Sequence, residues 1–171
     1  FGVDIVDRRI YRVNADKKNI AVKSLPTKNR PVSFNGLVGD FTFEAELSNN
    51  EAGLNEVITL QLTITGEGNL HHAIAPELSL PAEVELYADP VETKGYKIGT
   101  NGFKGALNYT YPLKVVKKSR SEIPEIEFSY FNPKKKKYIT QTSKPFLIND
   151  HTDTTDIELI QQSAEEDQSS L

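Results

Sequence analysis

Eight consecutive residues, Ile58 to Thr65, alternate without a break. Ile58, Leu60, Leu62 and Ile64 fall on one side, and Thr59, Gln61, Thr63 and Thr65 on the other. A period of two is the period of a β-strand with one face in a core and one in water. Wound into a helix, the same four apolar residues would scatter around the axis. The stretch predicts a buried strand that ends at Gly66-Glu67-Gly68-Asn69, where two glycines and an asparagine take positive φ at little cost and the chain can turn or bulge. A short return then runs to Pro76. A strand of this kind is stable only inside a sheet whose apolar face is covered.

The rest of the chain supplies that sheet. Phe34 to Gly39 leads into a strand in which Phe41, Phe43, Ala45 and Leu47 alternate with polar residues. Ser48 to Asn55 reads as a loop. Pro76, Pro81 and Pro90 argue against central strands at those points, with a short strand around Val84 and Leu86 between them. Gly95 to Gly105 is polar and glycine-rich and predicts a loop. Leu107, Tyr109, Tyr111, Leu113 and Val115 alternate again, and Pro112 within the run predicts an edge position or a bulge. Ile123 to Tyr130 is the next strand, Asn132-Pro133 and Lys134–Lys137 a hairpin turn, and Tyr138–Thr142 with Phe146–Ile148 the closing strand. About seven short strands with regular turn signals predict an immunoglobulin-like antiparallel β-sandwich. Ahead of it, residues 1–24 predict an extra N-terminal hairpin around the polar turn Asn14–Lys18, and Pro26 to Pro31 predicts a linker. The expected division is 1–30 (hairpin remnant of a preceding domain plus linker), 31–149 (sandwich) and 150–171 (acidic polar tail). The chain begins at Phe1 in mid-pattern and reads as a piece of a longer protein.

Composition narrows the function classes. The net charge is −4, which gives no electrostatic footprint for nucleic acid or an anionic membrane. Cysteine is absent, so disulfides, thiol nucleophiles and Cys-ligated zinc are excluded. No long apolar run is present that would span a membrane.

Each cluster that resembles chemistry has a plainer reading. Gly66-Glu67-Gly68-Asn69 lacks the third glycine and the Lys-Ser/Thr pair of a phosphate loop. His71 and His72 on a strand would point to opposite faces and could not share a metal. Lys134–Lys137 suits a solvated hairpin turn that protects an edge. Asp150, Asp153 and Asp156 lack the glycine and final glutamate of an EF-hand loop. Glu83, Glu85, Glu125 and Glu127 fall on the solvent side of their strands. No G-x-S-x-G motif occurs. The expectation is no enzyme, no cofactor and no metal. Leu70, His71 and His72, just past the glycines, are the expected partner contact. Tyr87 and Tyr96 offer the alternative of a carbohydrate-binding or cell-surface adhesion module, by stacking on sugars.

The order of several short motifs resembles the BatD family of aerotolerance, or oxygen tolerance, proteins. They are Leu25-Pro26, Phe34-Asn35-Gly36-Leu37-Val38-Gly39, Gly66-Glu67-Gly68-Asn69-Leu70, Tyr109-Thr110-Tyr111-Pro112-Leu113, Ile123-Pro124 and Tyr130-Phe131-Asn132-Pro133 with Tyr138. The resemblance covers roughly residues 20–149. It implies a periplasmic part of a protein with a signal peptide, tandem immunoglobulin-like domains and a membrane helix. It also implies von Willebrand A-domain and MoxR-type ATPase proteins as operon partners. It carries no catalytic residues.

Overall fold

The structure is a computed structural model and describes residues 12–150. Among the described residues nine strands form: β1 (Phe34–Leu47), β2 (Val57–Gly68), β3 (Val84–Leu86), β4 (Val91–Gly99), β5 (Gly102–Val115), β6 (Ser121–Ile123), β7 (Glu127–Asn132), β8 (Lys137–Thr142) and β9 (Phe146–Ile148). A mixed sheet runs in the order β3-β5-β2-β1-β7-β8, with β4 also paired to β5, and β6 pairs with β9 apart from it.

The sheet curls over through β1. Its first residues pair parallel with β7, at Phe34↔Ser129 and Val38↔Phe131. From Gly39 to Leu47 it pairs antiparallel with β2. The two halves of one strand thus belong to two layers, and the result is an immunoglobulin-like β-sandwich. Rings join the layers: Phe41 meets Tyr130 edge-on at 5.3 Å, and Phe43 stacks on Phe128 at 5.2 Å. Where β1 leaves β7, its free backbone is capped by one side chain. Gln141 donates Nε2–H to the Phe41 carbonyl and accepts the Phe43 N–H, both at 2.8 Å.

The alternating run fills the core as its period requires. Ile58, Leu60, Leu62 and Ile64 are buried, and so are Leu107, Tyr109, Tyr111, Leu113 and Val115 of the neighbouring strand. Full burial of each aliphatic side chain contributes about 1.5–3 kcal/mol. Phe128, Tyr130, Ile123 and Ile148 face them from the other layer.

Several expectations need correction. The glycines do not end β2; the strand continues through Gly68, pairing with β1 and with Phe103–Gly105 of β5. Gly95 to Gly105 is no loop but the turn-containing part of the β4–β5 hairpin. Pro112 lies in a central strand. Its carbonyl accepts Tyr87 N–H at 2.9 Å, so its missing N–H falls on the same side, in the gap where β3 has ended and β4 has not begun. The sandwich is not wholly antiparallel, because of β1 and β7. Of the N-terminal hairpin, residues 1–11 lie outside the described residues. Residues 12–33 form no strand, and Val13, Ile20 and Val22 are exposed. The linker does touch the sandwich: Tyr138 OH donates to the Pro26 carbonyl at 2.6 Å, and the Arg30 guanidinium lies over the rings of Phe34 and Tyr138. The expected acidic tail, beyond Asp150, lies outside the described residues.

Candidate interaction surfaces

The corner after β2 is built by close backbone approach. A Cβ on Gly66 would run into the Asp40 carbonyl, and one on Gly68 into the Val38 carbonyl. The Phe41 ring occupies the space that side chains at Gly39, Gly66 and Gly68 would need. An aromatic ring laid over strand glycines restores the packing they lack. Asn69 then locks the exit. Its Oδ1 accepts Val38 N–H at 2.6 Å, its Nδ2 donates to the Gly36 carbonyl at 3.0 Å, and its own N–H donates to the Val38 carbonyl at 3.0 Å.

The chain next makes one 3₁₀ turn, Leu70–His72. This separates the three residues expected to meet a partner. Leu70 is fully buried in the core and is not available. It turns inward because the turn, unlike a strand, places it over β1 and β5. His71 and His72 are exposed. Their rings lie side by side, centroids 4.0 Å apart, because a 3₁₀ turn does not send neighbours to opposite faces. His71 also packs on Phe103 at 4.4 Å, and Phe103 on Tyr96 at 5.2 Å. The corner therefore carries a short row of rings, of which sequence reasoning picked the histidines and missed Phe103. Tyr96 is drawn into this row, whereas Tyr87 points into solvent. Among the described residues, no group of three or more His, Cys, Asp or Glu could hold a metal ion.

Two clefts flank this corner. One of about 340 Å³ lies beside the glycines and is lined by Asp40, Glu67, Asn101, Lys104, Asn132 and Lys134 among others. Its groups already serve each other: Asn132 Nδ2 donates to Asp40 at 3.0 Å, and Glu67 accepts Asn101 N–H at 2.9 Å. A larger one, about 540 Å³, lies between the 74–79 segment and the start of β7. Glu125 and Glu127, expected on the solvent side, line it together with Glu77.

Two tyrosines have strongly displaced acidity. Burial pushes the Tyr109 phenol well above its ordinary range, with the Glu92 carboxylate and Tyr96 adding to it. Burial, then Tyr109, does the same for Tyr111. Both are core residues of β5. Tyr111 OH donates to the Pro76 carbonyl at 2.7 Å and so ties the 74–79 segment to the sheet, while Tyr109 OH has no hydrogen-bond partner. Lys134 to Lys136 form the expected turn and Lys137 opens β8, with Asn132 Oδ1 accepting the N–H groups of Lys134 and Lys135.

Residues 45–149, more than half of the chain, match the sequence model of a family described as BatD DUF11 like domain. No curated protein and no solved structure matches the chain.

Proposed function

The chain belongs to the BatD family, and we propose that it is a non-enzymatic, extracytoplasmic interaction module of an envelope complex linked to oxygen or stress tolerance. The observation that carries this reading is the family match laid over an immunoglobulin-like sandwich. Such sandwiches commonly serve as binding scaffolds at cell surfaces. BatD membership supports reading the protein as an envelope protein. Among the described residues no helix is long and apolar enough to cross a membrane. The proposal places the sandwich in the periplasm, with anchoring in the inner membrane through a helix outside the described residues. The partners are envelope proteins, von Willebrand A-domain and MoxR-type proteins foremost. No nucleic-acid role is proposed. The immobilised chain, passed over detergent-solubilised envelopes, should retain a von Willebrand A-domain protein. Retention of none counts against the reading.

A carbohydrate-binding role is the second reading, favoured by the exposed Tyr87. A glycan array should then give a signal that Tyr87→Ala removes, and an array without signal ends it.

A further inference from the structure

We propose that the cleft between the 74–79 segment and β7 is the docking groove for an extended partner segment in which apolar residues alternate with Lys or Arg. The inference rests on reading the chain as an interaction module and narrows that module to one place.

The groove has a fixed shape. Ala73 and Ala75 pack against the core, so Ile74 between them is held outward. The bond from Tyr111 OH to the Pro76 carbonyl pins this segment from below. Asn35 Nδ2 reaches the Ile74 carbonyl from the opposite wall at 3.5 Å. Ile74 is therefore 62% exposed by design of the backbone. Val32, on the facing wall, is wholly exposed. Large aliphatic side chains displayed together around a cleft mark a surface that gains by being covered. Ile126 and Phe128, both buried, form the floor.

The charge of the groove is one-sided. Glu77, Glu125 and Glu127 are exposed at its rim, and none of its lining residues is basic. None of the three carboxylates has a salt bridge among the described residues. Apolar walls ask for aliphatic side chains, and three carboxylates ask for ammonium or guanidinium groups between them. Electrostatic complementarity of this kind selects partners and speeds encounter more than it adds affinity. A volume of about 540 Å³ lies within the usual range of ligand clefts and suits a short extended stretch.

The probe is the blocked peptide Lys-Val-Lys-Val-Lys, titrated into the isotopically labelled chain and followed by amide shifts. Two control peptides replace both valines by serine or all three lysines by glutamate. Shifts should fall on residues 74–79 and 124–128, with a dissociation constant below about 1 mM. The serine peptide should bind about tenfold more weakly, the loss expected for removing apolar contacts worth about 1.4 kcal/mol. The glutamate peptide should not bind. The combined variant Glu77→Gln, Glu125→Gln and Glu127→Gln changes only exposed groups, so it should fold unchanged. It should bind the lysine peptide about tenfold more weakly, as should the native chain at about 1 M salt. The proposal is overturned by saturation elsewhere on the surface, by equal binding of the glutamate peptide, or by no binding. It is equally overturned if these amides shift on raising protein concentration alone and Lys134–Lys137 substitutions abolish that shift, for the occupant is then a second copy. Peptide failure with continued capture of a von Willebrand A-domain protein strikes the groove and leaves the module standing.

Discussion

β1, β2 and β5 run side by side, yet their two ends are held by different physics. At one end, Ile58–Leu62 and Tyr109–Val115 are held by apolar side chains in alternation. At the other, Gly39, Gly66 and Gly68 let backbones approach so closely that only a single ring, Phe41, fits over them, and one asparagine fastens the exit. Cohesion at the first end scales with buried volume. At the second it depends on the absence of Cβ atoms and on directed hydrogen bonds. One continuous ladder can thus fail in two independent ways.

Alkali should break the apolar end most severely. Tyr109 and Tyr111 ionise near 10 when unfolded and well above that when folded. Their ionisation therefore takes nothing from stability below about pH 10, and stability declines as pH rises beyond it, because the folded state resists losing these protons. The loss deepens with each pH unit above about 10 and is shared by both tyrosines. Tyrosinate absorbance during alkaline titration should show these two phenols ionising only as circular dichroism is lost. Earlier ionisation would place them nearer water.

Leu62→Ala should cost about 2–5 kcal/mol in urea unfolding, through lost burial and the cavity left behind. Gly68→Ala adds a single methyl group, yet should cost about 1–3 kcal/mol, since the Val38 carbonyl and the Gly39 Cα it meets are backbone and cannot swing away. A neutral Gly68→Ala would remove the distinction between the two ends. The smallest effect separates two residues on β5 itself. Tyr111→Phe breaks the bond to the Pro76 carbonyl and should cost about 0.5–1.5 kcal/mol. Tyr109→Phe removes a buried hydroxyl that has no partner and should leave stability unchanged or slightly raised.

The apolar end was legible in the sequence because alternation is a local signal: Ile58–Ile64 and Leu107–Val115 were both placed correctly, inward faces included. The glycine end was misread for the same reason. A glycine in a turn and a glycine under a crossing ring look alike locally, and only the pairing of Gly39 with Gly68 distinguishes them. β4 escaped notice because an edge strand needs no apolar face, and VETKGYKIG is exposed along nearly its whole length. Leu70 reads as an outward residue only if the chain runs on as a strand, and it makes a 3₁₀ turn there instead. The large cleft gave almost no sequence signal. Ile74 lies about fifty residues before Glu125 and Glu127, and their meeting depends on tertiary closure.

The parallel pairing of β1 with β7 has a consequence for time as well as for shape. The hairpins β1–β2, β4–β5 and β7–β8 join near neighbours, but Phe34 meets Ser129 across more than ninety residues. Loop-closure entropy must be met before such a contact returns anything, so hairpins of this kind form in about microseconds while the seam between layers closes in about milliseconds to seconds. The seam is then the last part to assemble and the first to open. Substituting Ser129, whose hydroxyl bridges Ser33 and Thr140, should accelerate unfolding in stopped-flow traces and leave the refolding rate almost unchanged. A slowed refolding limb would instead put the seam in the nucleus.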